Sequence, residues 1–538
     1  MSPETASILP ALVVIFPAAA GILIFIIGRF VGGFREALAV LGSAGALVFS
    51  LGIGQAALRG GVLTSFRNQF RADALSALLV VLVSGIGFLA TIYSLKYMRH
   101  HVQEGGLTHT TTSGRLTAYY GWLMFFISTM LWACLSNNVI MLYVAVEAST
   151  IASGLLVAFY WDKRALEAGY KYLMLLTVGI TFSLFGCVLV YATGANILGG
   201  SKGLLLSDLK SVAGLFPRTT VILASAFLIV GFGTKAGVAP FHPWLPDAHA
   251  EAPTPISALL SGVMIKVAMY ALVRTVSMFY PSFAPVAMFA LALGVFTMVI
   301  GDLMALAQDD LKRMLAYSSV SQIGYVLMGF GIGTQLGVYA GLFHMLNHAL
   351  GKALLFLAAG AVIYATGARR ISQLGGLSRR MPVTSFCFFV GALAVSGIPP
   401  FNGFQSKLAL FVAGARAGDW WAVIIGIGTS LITLLVLAKA AKAIFWGQPD
   451  SAYAPTVREA PLTVVAAMVI LAALCLAIGV YPKSVYPPLK AASAVVQTIK
   501  TPTPEPAAKQ PVPHRSAFSD GEHQCTNSLP RRISSPLP

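Results

Sequence analysis

The sequence predicts an all-α membrane protein of about fourteen transmembrane helices, and three observations carry that prediction. Of its 538 residues, 57% are hydrophobic and only 10% are charged, whereas an average soluble chain is roughly 25% charged. So little charge cannot cover the surface of a soluble multidomain enzyme. Apolar runs recur along the chain, each long enough for a hydrocarbon layer of ~30 Å, which takes about 20 helical residues. Two of those runs are interrupted by glycine and proline in a similar way.

The runs fall near 7–28, 37–57, 72–94, 117–136, 138–160, 168–193, 219–240, 254–279, 286–307, 311–332, 335–366, 382–415, 420–446 and 462–481. The first has neither a basic leader nor a small-residue cleavage site, so it is expected to stay in the mature chain. Residues 497–538, rich in Pro, Ser and charge, read as a disordered tail. The expected division is 1–116 for three N-terminal helices, 117–279 and 280–446 for two five-helix repeats, and 447–496 for a last helix.

The net charge of +17 would point to nucleic acid in a soluble chain. Here no basic run is interleaved with stacking aromatics, so nucleic acid is excluded as a partner. The basic residues instead flank spans and face the lipid bilayer. Cys134, Cys187, Cys387, Cys475 and Cys525 form no CxxC or other metal-like spacing. They read as core residues, and the chain is expected to hold no cofactor or metal of its own.

Basic residues also orient the chain. Arg29, Arg35, Lys96, Arg99, Arg115, Lys163, Arg164, Lys312, Arg313, Arg369, Arg370, Arg379 and Arg380 stand in the odd-numbered loops, joined by Lys439, Lys442 and Arg458. Fewer stand in the even ones, among them Arg59, Arg67, Arg71, Lys202, Lys210 and Arg218. The excess marks the cytoplasmic side. With an even number of spans, both termini are expected on the outer, periplasmic side of a cytoplasmic (inner) membrane.

The two interruptions are Gly231-Phe-Gly-Thr-Lys-Ala-Gly-Val-Ala-Pro240 in the seventh span and Ser396-Gly-Ile-Pro-Pro-Phe-Asn-Gly-Phe-Gln-Ser-Lys407 in the twelfth. Each contains a lysine. They stand five spans apart, an odd number, so spans 4–8 and 9–13 are expected to be inverted repeats with broken helices 7 and 12.

Ionisable side chains inside apolar runs indicate function, because a charge at the bilayer centre costs at least about 2.5 kcal/mol. The candidates are Glu147, Lys235, Lys266, His344, His348, Lys352 and Lys407. His344, His348 and Lys352 recur every four residues, which puts them on one helix face. A carboxylate near a buried lysine raises its proton affinity again, so a Glu147–Lys235 pair that forms and breaks makes a switch. With Lys266, the histidines and Lys407 it forms a proton relay along the membrane plane. Ser318, Ser319, Ser321, Gln322, Tyr325 and Asn347 supply polar positions beside it.

Plainer readings stand beside these. Glu147 and Lys235 could form a static pair, though buried pairs are a poor source of stability. Lys266 could snorkel towards a helix end. The HxxxH spacing could hold a metal, but no third or fourth ligand is evident. Lys171 and Arg274 lie nearer helix ends and are expected to anchor. Asp302 stays open. The Asp309, Asp310, Lys312, Arg313 cluster reads as the charged cap of a helix start.

The stretch Phe241-His-Pro-Trp-Leu-Pro-Asp-Ala-His-Ala-Glu-Ala-Pro-Thr-Pro-Ile-Ser-Ala-Leu-Leu260 resembles the signature of the antiporter-like subunits of complex I, Mrp Na⁺/H⁺ antiporters and membrane-bound hydrogenases. Leu311–Val320, Gly397–Lys407, His344–Lys352 and Val146–Thr150 support it, and the resemblance spans about residues 70–440. Ile92–His100 and Gly231–Gly237 are most similar to the F subunit of hydrogenase-4 and formate-hydrogenlyase-type complexes. The resemblance implies fourteen helices with two inverted five-helix bundles, and proton movement by Glu147, Lys235, Lys266 and Lys407. It further implies half-channels, with a cytoplasmic entrance to one bundle and an outward exit from the other. Lys407 stands where some relatives carry glutamate. Redox centres are expected on partners, namely peripheral iron–sulfur or hydrogenase-like subunits beside other membrane subunits. The leading expectation is therefore the proton-translocating subunit of a redox complex. The alternative is a gradient-driven Mrp-type cation/proton antiporter, and a third reading is a structural anchor, which has no need of buried lysines.

Overall fold

The computed structural model describes residues 4–28, 30, 33–104, 112–448 and 457–499. Arg29, Cys525 and the expected tail from residue 500 onward lie outside the described residues. Among those described, twelve helices are long and apolar enough to cross a membrane. They run Leu9–Ile27, Phe34–Leu58, Ala74–Val102, Thr112–Leu135, Val139–Val157, Lys163–Leu198, Arg218–Ala236, Thr254–Phe279, Pro285–Leu306, Gln335–Thr366, Trp420–Trp446 and Leu462–Val480.

Two expected spans differ from these. Leu311–Gly331 is helical over 21 residues, but its serines, Gln322 and Tyr325 make it less apolar. The run 382–415 is divided into Pro382–Ser396 and Asn402–Ala417. Lys163–Leu198 is longer than expected at both ends; it starts early because Asp162 caps it by accepting the Ala165 N–H at 2.7 Å.

Ile15, Leu41, Val178, Phe289 and Leu431 are exposed on outer helices, as expected where the surrounding medium is lipid. Thr254–Phe279 is the inner element, buried along its apolar window. Pro285–Leu306 and Leu311–Gly331 pack backbone against backbone. A Cβ at Gly301 would lie 2.3 Å from the Ser321 nitrogen, and one at Gly324 would lie 2.5 Å from the Gly294 oxygen. Small residues permit such approach, and membrane helices rely on it because lipid gives no hydrophobic drive to associate.

A small sheet joins Glu4–Ala6 in parallel to Val62–Ser65, which pairs antiparallel with Phe70–Ala72. The next residue, Asp73, caps the third helix by accepting the Ser76 N–H at 3.0 Å. Arg274 was expected to anchor at a helix end. It stands in the last turn of Ile265–Val276, largely buried, and donates to Asp73 at 2.6 Å and to the Ser76 hydroxyl at 3.0 Å.

Candidate functional site: a buried row of lysines and histidines

Both interruptions end a helix in the same way. After Arg218–Ala236 the Gly237 N–H bonds to the Thr234 oxygen at 3.1 Å and the Val238 N–H to the Gly233 oxygen at 2.9 Å. After Pro382–Ser396 the Gly397 N–H bonds to the Ala394 oxygen at 3.3 Å and the Ile398 N–H to the Leu393 oxygen at 3.1 Å. These are Schellman caps, which need a left-handed residue, and Gly237 and Gly397 have φ of +79° and +83°. The lysines fall on opposite sides of their caps. Lys235 is in the last turn before the first break, and Lys407 follows the second.

Four lysines lie inside, none more than 2% exposed: Lys235, Lys266, Lys352 and Lys407. Among the described residues, none of them is within ion-pair distance of a carboxylate. Their partners are neutral oxygens. Lys235 Nζ donates to Thr150 Oγ1 at 2.5 Å and to the Val146 carbonyl at 3.3 Å. Glu147, one turn before Thr150 on that helix, is half-buried; its Oε1 accepts from Thr177 at 3.3 Å and its Oε2 has no partner. In this conformation the Glu147–Lys235 pair is open.

Lys266 owes its position to a local irregularity. Over Leu260–Met264 the helix widens into a π turn, a feature often found at functional sites. There the Ser261 carbonyl accepts Lys266 Nζ. Ser261 Oγ meets Ser319 Oγ at 2.8 Å, and Ser319 donates to the Leu315 oxygen at 2.9 Å. That oxygen also accepts Lys352 Nζ at 3.0 Å. Two serines thus join the lysines of separate helices. A second run of hydroxyls starts at Lys235 and Thr150. Ser153 donates to the Thr150 carbonyl at 3.2 Å and meets the Tyr172 hydroxyl at 2.5 Å, which in turn reaches the Met264 sulfur at 3.3 Å, in the widened turn.

The far end of the row is built on Gln335–Thr366. His344 and His348 lie parallel, with ring centroids 6.1 Å apart. His344 Nδ1 meets Ser406 Oγ at 3.1 Å, while His344 Nε2 and both His348 nitrogens are buried without partners. Asn347 and Asn402 bond reciprocally at 2.8 and 3.1 Å, holding the histidine helix to the second break. Lys407 Nζ donates to the Ser396 carbonyl at 3.2 Å and to Ser430 Oγ at 3.0 Å, and lies 4.7 Å from the Tyr325 ring centre. Its stem crosses Gly397, where a Cβ would come within 2.7 Å of Lys407 Cδ.

The structure therefore brings Lys266 to Lys352, the histidines together, and His344 to the residue beside Lys407. It does not join Glu147 to Lys235. Lys171 is half-exposed and pairs with Glu167 at 2.6 Å, as an anchoring residue would. The helix-start acids behave as read, with Asp310 accepting the Arg313 N–H at 2.9 Å. Lys312 does not stay with that charged cap: it is buried, and its Nζ donates to the carbonyls of Ala250 and Ala252 at 3.3 and 2.5 Å. Thr150 and His249 were not singled out as site neighbours, and Asp302 had been left open. Asp302 carries the same signal as Glu147, an acid inside an apolar run. His249, fully buried with both ring nitrogens unpartnered and stacked on Phe356 with ring centroids 4.8 Å apart, lies on the short helix Trp244–Glu251, too brief for apolar periodicity to show its buried face.

At one end of the bundle a charged cavity of about 560 Å³ is lined by Lys171, Asp247, Glu251, Asp310, Arg313 and Arg369, among others. Arg313 pairs with Asp247 at 2.9 Å, and Arg369 with Glu251 at 3.2 Å and Asp310 at 3.1 Å. No cluster of three or more His, Cys, Asp or Glu suited to a metal occurs among the described residues.

A row of unpaired basic groups inside a membrane bundle is what an ion relay requires. Residues 136–433 match the family described as NADH:quinone oxidoreductase/Mrp antiporter, transmembrane, and residues 64–105 match the complex I chain 5 N-terminus. The chain is 33% identical to the hydrogenase-4 component F homolog of Methylacidiphilum infernorum, over 72% of this chain and 81% of that protein. It is 34% identical to NADH-quinone oxidoreductase subunit N of Desulforudis audaxviator, over 79% and 84%. Its fold is similar to that of a chain in the Mrp complex of Dietzia sp. DQ12-45-1b, with a TM-score of 0.80, 23% identity and coverage of 91% and 97%. The chain belongs to the NADH:quinone oxidoreductase/Mrp antiporter family of multi-pass membrane subunits.

Proposed function

We propose that the protein is the proton-translocating membrane subunit of a multi-subunit redox complex of the hydrogenase-4 or complex I kind. The observation that carries the reading is the row of buried lysines without carboxylate partners. If all four were charged, their cost would be about 10 kcal/mol at insertion-scale values, which no packing role requires. Neutral-oxygen partners such as Thr150, Ser261, Leu315 and Ser430 leave each amine able to gain and lose a proton. Glu147, Lys235, Lys266, Lys352, His348, His344 and Lys407 act in that order as relay groups. Opening and closing of the Glu147–Lys235 pair sets the lysine's proton affinity, and electrostatic coupling carries the change along the row.

In the same reading the chain has fourteen spans, counting Leu311–Gly331 and the broken Pro382–Ala417 segment, with inverted repeats in spans 4–8 and 9–13. The identical caps at Gly237 and Gly397 support that relation. Both termini face the periplasm from a cytoplasmic membrane, as the distribution of basic residues argues. This chain holds no redox cofactor; peripheral iron–sulfur or hydrogenase-like subunits supply the electron chemistry, and other membrane subunits flank it.

A gradient-driven cation/proton antiporter of the Mrp kind is the second reading, favoured by the family's own span of both groups. Copurification from solubilised membranes with mass spectrometry of the partners separates the two. Iron–sulfur, nickel-site or flavin subunits are expected. Small membrane subunits alone would overturn redox-driven pumping and make the row an exchange path.

A further inference from the structure

Asp302 is the one candidate acid that the relay does not use, and it is fully buried. Its helix, Pro285–Leu306, is brought against Leu311–Gly331 by the close approach of Gly301 to Ser321. Both carboxylate oxygens accept from one group, Thr433 Oγ1, at 3.1 and 2.9 Å. A threonine hydroxyl carries one proton, while a carboxylate offers about four lone-pair sites. Thr433 and the neighbouring Ser321 hydroxyl are the donors beside this buried carboxylate. Nearby, Ser318 Oγ and Gln322 Oε1 are buried without partners, and Gln322 Nε2 approaches Thr433 Oγ1 at 3.4 Å.

The hydroxyl has a second acceptor. Thr433 Oγ1 is also 3.1 Å from the Thr429 carbonyl. With Asp302 ionised, Thr433 donates to the carboxylate. With Asp302 protonated, the acid donates to Thr433, which turns its own proton to the Thr429 carbonyl. Thr433 therefore stays bonded to Asp302 in either protonation state, so the acid exchanges a proton without losing this contact.

Lys407 reaches the same helix. Its partner Ser430 lies three residues before Thr433, and residues at that spacing share a helix face. Lys407 and Lys352 are the cations whose fields act on Asp302, and Tyr325 is the neighbouring titratable hydroxyl. We propose that Asp302 is a proton-exchanging member of the relay and the carboxylate partner of Lys407, serving the second half of the bundle as Glu147 serves the first. A proton leaving the Lys407 ammonium across the Ser430–Thr433 face arrives on an Asp302 oxygen. An ammonium and a carboxylate become an amine and a carboxylic acid, and no net charge is created in the membrane.

This rests on the relay reading above, and the experiment separates the two. Asp302→Asn keeps the size and the bond to Thr433 but cannot exchange a proton; Asp302→Glu can. Each is built into the full complex, with Glu147→Gln as reference, and proton uptake into vesicles is measured between about pH 6 and pH 9 together with subunit content. The expected result is normal assembly in all, at least a tenfold loss in Asp302→Asn, and recovery in Asp302→Glu with an altered pH profile. In infrared difference spectra, a carboxylic C=O band present in the parent is expected to vanish in Asp302→Asn. Normal uptake and an unchanged band in Asp302→Asn, with Glu147→Gln inactive, would overturn the Asp302 proposal alone. Normal uptake in both variants would overturn the relay itself.

Discussion

The Lys235 ammonium donates to the Thr150 hydroxyl at 2.5 Å, and Glu147 stands three residues earlier on the same helix. The lysine therefore rests on a neutral partner one helical turn from an acidic one. We read exchange between them as a swing of the long lysine side chain across that turn. Among the described residues Glu147 Oε2 is without a hydrogen bond, so a vacant acceptor awaits the amine.

Glu147→Gln is expected to abolish ion transfer while leaving assembly intact, because the amide keeps the shape and loses the charge that attracts Lys235. Dye-reported proton uptake in vesicles checks it. A normal rate in the variant would sink the switch. Thr150→Val, which removes the resting partner, is expected to slow transfer and shift Lys235 towards Glu147.

Lys407→Ala is expected to block exit of the ion, so gradient formation in vesicles should fall to background. Gly397→Ala tests the same group indirectly. The added methyl would press on Lys407 Cδ at 2.7 Å in a backbone conformation that alanine disfavours. Transfer is expected to drop several-fold in that variant, and unaltered transfer would show that the lysine tolerates displacement.

Ser319→Ala removes the contact between the Lys266 and Lys352 halves at Ser261. The stability cost is about 1 kcal/mol, that of one buried hydrogen bond, whereas transfer is expected to fall by far more than that loss of stability explains. Thermal unfolding and uptake measured on the same preparation separate the two effects. Equal rates with and without the hydroxyl would remove this link from the path.

Asp73 gives a pH dependence outside the relay. Burial by itself would raise its pKa; the Arg274 guanidinium at 2.6 Å and the Ser76 N–H outweigh burial, and the carboxyl lies below its ordinary value. Its folded pKa is thus below the unfolded value of about 3.9. The pair's stabilisation is complete above about pH 5 and fades as pH falls through the folded value. Asp73→Asn is expected to cost about 3 kcal/mol at neutral pH, as when a buried pair loses one partner. The gap from the parent should close in acid, and a gap independent of pH in detergent unfolding curves would contradict the assignment.

A tag on the C-terminal segment is expected to react only with reagents outside the cell. Labelling from the cytoplasmic side would reverse the orientation inferred from the basic residues.

The sequence by itself determined the membrane class, the approximate positions of most helices and the identity of the ionisable groups within apolar runs. Each depends on a local property: apolar length, glycine and proline as helix breakers, and the cost of a charge in an apolar run. Lys235, Lys266, His344, His348, Lys352 and Lys407 were all legible on that ground. Only the tertiary structure decided what those groups touch. That Lys235 rests on Thr150 and not on Glu147, that a π turn presents the Ser261 carbonyl to Lys266, and that Ser319 joins two lysines depend on helix rotation and spacing. The same holds for Asp302, legible as an acid but given a partner only where Thr433 of a remote helix faces it. Hydrogen bonds extend about 3 Å, and which side chains from helices a hundred residues apart come within that reach is settled by packing, through close approaches such as Gly301 on Ser321 that no pattern along one chain segment encodes.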